Sequence, residues 1–91
     1  MPILEKKIVI VNKLGLHARA ATQLVQLANN FSATVTLHLG AKQASANSVL
    51  GLMMLEGNQG KELNVISEGD DAVEALAAVE ALIAGRFNEQ E

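Results

Sequence analysis

The chain contains two histidines, and one of them, His17, stands in the run GLHARAA, with Gly15 two places before it and Arg19 two places after. A histidine packed into a core needs neither a turn-former nor a cation beside it. The apolar residues that follow, Ala20, Ala21, Leu24, Leu27 and Ala28, recur with a helical period. A helix is therefore predicted from about Ala18 to Asn29, and His17 falls at its N-cap or one place before. The first backbone N–H groups of a helix lack partners within it. The helix dipole adds partial positive charge at the same end. Arg19 can supply a forked donor that stays charged, and Gly15 can take the backbone conformation that a sharp entry demands.

These parts make an anion site with a nucleophile inside it. Neutral imidazole is nucleophilic near pH 7. Once phosphorylated, it would carry a multiply charged group that the same amides and Arg19 stabilise. Phosphoryl transfer depends mainly on positioning and electrostatics, which is what this arrangement offers. The residues alone leave three other readings open. His17 could be a simple cap or surface residue, it could help hold an anion noncovalently, or it could belong to a docking surface. No His, Asp or Glu cluster has metal-ligand spacing, His38 being the only other imidazole. No nucleophile-elbow motif supports a Ser-His-Asp triad.

The elements that must position His17 can be read along the chain. EKKIVIV, residues 5–11, reads as a strand with Ile8 and Ile10 on one face and Val9 and Val11 on the other. ATVTLHL, residues 33–39, alternates Val35, Leu37 and Leu39 against Thr34, Thr36 and His38, a half-buried strand. AKQAS after Gly40 reads as a short partner strand, and KELNVIS, 61–67, as another with Leu63 and Val65 inward. NSVLGLMMLEG reads as a short helix that Asn47 or Ser48 can cap. AVEALAAVEALIA reads as the last helix, with Ala72, Leu76, Val79 and Ile83 as its buried stripe, Asp70 or Asp71 as its cap and Gly85 at its end. RFNEQE is expected to be a frayed acidic tail. The order β-α-β-β-α-β-α predicts an α+β split-βαβ arrangement, an antiparallel sheet with helices on one face.

Composition bounds the rest. Ninety-one residues suit one domain, here 1–91. With Phe31 and Phe87 the only aromatics, the core must be aliphatic. The absence of cysteine excludes disulfides and thiolate metal sites. A net charge of −3, with no basic run and no aromatic platform, argues against nucleic acid. The N-terminal segment has too short an apolar run for a signal peptide or a membrane span. A cytoplasmic, monomeric protein without cofactor or metal is expected.

GLHARAA resembles the active-site segment of the HPr phosphocarriers of the bacterial phosphotransferase system, usually Gly-Leu-His-x-Arg-Pro-Ala. ANSVLGLMML resembles the second signature of that family, around its serine. The wider NKLGLHARAA and the ending GRFNEQE resemble the nitrogen-branch members, and the likeness runs over about residues 4–87. The resemblance implies an open-faced sandwich, a four-stranded antiparallel sheet covered on one side by three helices. It implies that His17 accepts a phosphoryl group on Nδ1 from phosphorylated Enzyme I and hands it to an Enzyme IIA. Arg19 would be the active-site arginine, and the Ala18 and Arg19 amides the phosphate donors. The chain would be a stoichiometric carrier and not a turnover enzyme; a sugar-transport HPr or an HPr-like docking regulator are the alternatives.

The family's proline is Ala20 here, which restores one N–H and predicts a somewhat looser helix start. Ser48 matches the family's regulatory serine, but a cap alone explains it more simply. In SVLGLMML, Leu52 and Leu55 are expected inward. Val49, Leu50 and Met53 are expected to form an exposed docking patch near His17, where methionine suits a carrier with more than one partner.

Overall fold

In a computed structural model that describes residues 2–91, the chain forms β1 (Ile3–Val9), α1 (Ala18–Ala28), β2 (Thr34–Leu39), β3 (Lys42–Ser45), α2 (Val49–Met54), β4 (Glu62–Glu68) and α3 (Ala72–Ala84), and closes with a single turn at Arg86–Asn88. The order matches the one read from sequence periodicity. The strands make one antiparallel sheet in the order β1-β4-β2-β3. In that sheet Ile8 lies opposite Leu63, and Leu37 lies opposite both Val65 and Ala44. All five are buried, so the inward residues of the four strands form one apolar surface.

The helices cover that surface. Ala20, Ala21, Leu24 and Ala28 line the inner face of α1, while Ala72, Ala75, Leu76, Val79 and Ile83 line that of α3. The small alanines let the helices sit close to the sheet, which an aliphatic core of this size requires. The other face of the sheet stays open and carries Lys7, His38 and Asn64.

Three local expectations change. The first strand runs Ile3–Val9, earlier than 5–11, although Ile10 and Val11 keep the predicted alternation, buried and exposed. Asp71 stands at the N-cap of α3 but makes no capping bond; its carboxylate accepts from the amides of Ser32 (2.9 Å) and Ala33 (2.7 Å) and ties the loop after α1 to α3. Gly85 ends α3 as read from the sequence, with φ −83°, and the left-handed residues there are Arg86, Phe87 and Asn88, with φ of 61°, 51° and 63°. The tail is not frayed, because Phe87 is wholly buried and anchors it.

Candidate functional site

The segment between β1 and α1 is held on both sides before it reaches His17. The Ile10 amide donates to the Lys61 carbonyl (2.9 Å) and the Gly60 amide to the Ile10 carbonyl (2.8 Å). Asn12 is buried, and its side-chain amide donates to the Gly15 carbonyl at 2.9 Å. Gly15 turns with φ +66°, and a Cβ there would drive into the carbonyl oxygen of Gly57. That carbonyl already accepts from the Leu16 amide at 2.9 Å.

The turn leaves His17 extended at the N-cap, φ −76° and ψ 178°, with its carbonyl accepting from Ala21 at 2.9 Å. Helix α1 thus begins at Ala18, as predicted. No hydrogen bond occupies the amides of Ala18, Arg19 or Ala20 among the described residues, and the imidazole does not cap them. Proline would have removed the third of these donors; Ala20 keeps it.

The imidazole is engaged elsewhere. Its Nε2 lies 2.5 Å from Oε2 of Glu89, and the other carboxylate oxygen accepts from Asn12 Nδ2 at 3.0 Å. Both neighbours of the Asn12 amide group, the Gly15 carbonyl and the Glu89 carboxylate, are acceptors, which fixes its orientation. Burial works to raise the Glu89 carboxyl, but hydrogen bonds from Asn12 and His17 and the charges of His17 and Arg19 outweigh it, so the group sits below its ordinary value. The Glu89 side chain keeps 10% of its exposure and His17 keeps 29%, so the ring remains reachable while the carboxylate is largely enclosed.

Three left-handed residues in a row aim Glu89 at the ring. Outside glycine that conformation costs roughly 1–2 kcal/mol per residue. The burial of Phe87 and the bond from Asn88 Nδ2 to Gln23 Oε1 (3.1 Å) oppose that cost. Beyond Glu89, Arg86 donates to the Gln90 carbonyl (3.1 Å), and the Lys13 amide donates to the Glu91 carbonyl.

His17, Arg19, Glu89, Lys13, Leu14 and Glu91 converge on a cleft of about 370 Å³. Arg19 is exposed and makes no ion pair or hydrogen bond among the described residues, so its guanidinium is free for an incoming anion. A larger groove of about 560 Å³ lies beside α2, between Lys42, Gly51, Met54 and Leu55, and contains neither histidine.

Ser48 caps α2, its hydroxyl accepting from the Gly51 amide at 2.9 Å. Leu52 and Leu55 point inward as expected. Leu50 (69% exposed) and Met53 (39%) lie outside, but Val49 is half-buried against the core, and Met54 (64%) is exposed in its place. The first turn of this six-residue helix places Val49 against the core, which the run of apolar letters did not reveal.

Glu89 and Asn12 are the site residues that reading the sequence missed. A signal existed: Phe87 is a lone large apolar residue in an otherwise polar tail, and such a residue marks an anchor.

Comparison with known proteins agrees with this geometry. The family described as "PTS HPr component phosphorylation site" matches residues 4–85. The chain is 52% identical over 89 residues to a phosphocarrier protein NPr of Shewanella violacea, covering 98% of each chain. It is 44% identical over 89 residues to a phosphocarrier protein HPr of Cupriavidus necator, covering 98% of this chain and all of the other. Among solved structures, an HPr from Thermoanaerobacter tengcongensis superposes with a TM-score of 0.91 at 40% identity, over 97% of this chain and 99% of that one. A motif with a histidine at a helix start, a fold that superposes on a solved HPr and likeness over nearly the whole length thus lead to one conclusion: the chain belongs to the HPr family of phosphotransferase-system phosphocarriers, non-catalytic carriers that are phosphorylated on histidine.

Proposed function

We infer that His17 is the phosphoryl-accepting residue, and that it takes the group on Nδ1 from phosphorylated Enzyme I and passes it to an Enzyme IIA. One observation carries this reading. His17 is the N-cap of α1, and among the described residues the amides beside it have no partner and its Nδ1 makes no hydrogen bond, while Nε2 is occupied. A phosphoryl group on Nδ1 would meet the Ala18 and Arg19 amides and the Arg19 guanidinium, the donors that anion binding at a helix start uses. His38, on the open face of the sheet, has no such setting.

For the branch, the relatives give support. The relative named NPr is more similar than the one named HPr, 52% against 44%, which supports the nitrogen-related branch over sugar transport. Leu50 and Met53, with Met54 beside them, form the docking patch for both partners, and Ser48 serves as a cap. Residues 1–91 act as one HPr-like domain.

Incubation with phosphoenolpyruvate and either the nitrogen-branch or the sugar-branch Enzyme I tests these points together. Mass spectrometry should show one acid-labile phosphate, lost in His17→Ala and retained in His38→Gln, and formed faster with the nitrogen-branch donor. Phosphate that persists in His17→Ala would remove His17 from the role.

A further inference from the structure

Two ring nitrogens compete for one proton in a neutral imidazole, and only the unprotonated one can attack phosphorus. At His17 that competition is decided by a residue 72 places away. Glu89 is an ionised carboxylate at neutral pH, its carboxyl lying below the ordinary value. An ionised carboxylate has no proton to donate. Nε2 must therefore be the donor in the 2.5 Å contact, which leaves the lone pair on Nδ1.

We propose that Glu89 is a positioning residue for the phosphoryl relay: held by Asn12, its carboxylate fixes the proton of His17 on Nε2, so that Nδ1 faces the donor as the nucleophile. The proposal rests on the assignment of His17 as the phosphoryl acceptor. In the transfer, the Nδ1 lone pair forms the bond to phosphorus. The bond from phosphorus to the donor's leaving atom breaks, and its electron pair returns to the donor. The ring gains one unit of positive charge, and the proton on Nε2 stays where it is. Glu89 then faces an imidazolium, and the attraction grows as the charge develops. When the group is passed on, the electrons of the N–P bond return to Nδ1 and the ring is restored in the same tautomer. A carboxylate behind a histidine is a general device for orienting the ring and stabilising the charge that it acquires.

The surrounding contacts fit a positioning role. Asn12 is buried, and it braces both the Gly15 turn that delivers His17 and the carboxylate that orients it. One side chain thereby couples the two halves of the site. Phe87, wholly buried two residues before Glu89, sets the reach of the tail.

The test uses Glu89→Gln, which keeps the size of the side chain, and a truncation after Asn88, which keeps Phe87. In wild type, proton NMR of the imidazole should show a protected, strongly downfield Nε2–H signal, which both variants lose. Phosphorylation of His17 by phosphoramidate, a small donor that needs no docking, should slow by about tenfold in both variants. Rates within twofold of wild type in both variants, or faster ones, would overturn the proposal, as would a wild-type ring with its proton on Nδ1. Failure of the carrier assignment looks different. In that case Enzyme I leaves wild-type His17 unmodified, although the Nε2–H signal is present.

Discussion

Gly15 lies with its α-carbon against the carbonyl oxygen of Gly57, so the loop that delivers His17 is clamped to the loop that leaves α2. Neither backbone can retreat, because the Leu16 amide is bonded to the same carbonyl at 2.9 Å and Gly57 itself faces Ile10 and Leu16. The position of His17 is therefore set by a contact between two glycines.

Gly15→Ala should be strongly destabilising. A methyl there meets backbone and must also adopt φ +66°. Strain and overpacking together predict a loss of about 2–4 kcal/mol. Urea denaturation measures it, and the surviving folded protein should show a displaced His17.

Phe87→Ala should separate the tail from the body. The ring is wholly buried, so truncation predicts a loss of about 3–4 kcal/mol. With the anchor gone, the Asn88–Gln23 bond is too little to hold three left-handed residues, and Glu89 should leave His17. Amide exchange at residues 86–91 and the imidazole N–H signal report the release.

Ser48→Ala should cost about 1 kcal/mol, since the variant loses the acceptor for the Gly51 amide. Ser48→Gly should cost less. Thermal unfolding ranks the two, and phosphoryl uptake by His17 should be unchanged in both, because the cap is not part of the cleft.

Acid should loosen the tail in a defined direction. The Glu89 carboxyl lies below its ordinary value in the folded chain, so its contribution to stability is complete above the unfolded value and is lost as pH falls through the folded one. A charged His17 ring only tightens the pair, so no loosening is expected before the carboxylate range. A pH titration of wild type against Glu89→Gln, followed by tail amide shifts, should show a transition only in wild type. Asn12→Ala should move that transition to higher pH by removing one of the bonds that lower the carboxyl.

Leu50→Glu should weaken relay without weakening the fold. The side chain is 69% exposed, so stability should change by less than about 0.5 kcal/mol. A charge in the docking patch should reduce the rate of transfer from Enzyme I by about tenfold. Phosphorylation by phosphoramidate, which uses no patch, should stay at the wild-type rate.

The amino-acid sequence by itself determined what depends on neighbours along the chain. The alternation Val35, Leu37, Leu39 sets a strand face, and the spacing Ala20, Ala21, Leu24, Ala28 sets a helix face, because period and burial are local properties. The start of α1 near Ala18, and with it the places of His17 and Arg19, followed from the same period, and side-chain chemistry narrowed the cap of α2 to Asn47 or Ser48. Only the tertiary structure decided which distant groups meet. Asp71 looked like a cap for its own helix and instead holds Ser32 and Ala33, because folding brought two amides closer than its own helix did. RFNEQE looked like a polar fringe, and local composition supports that reading. Burial of one phenyl ring, joined by the bonds that Asn88 and Glu89 make to distant side chains, orders the tail and carries Glu89 across the molecule to Nε2 of His17.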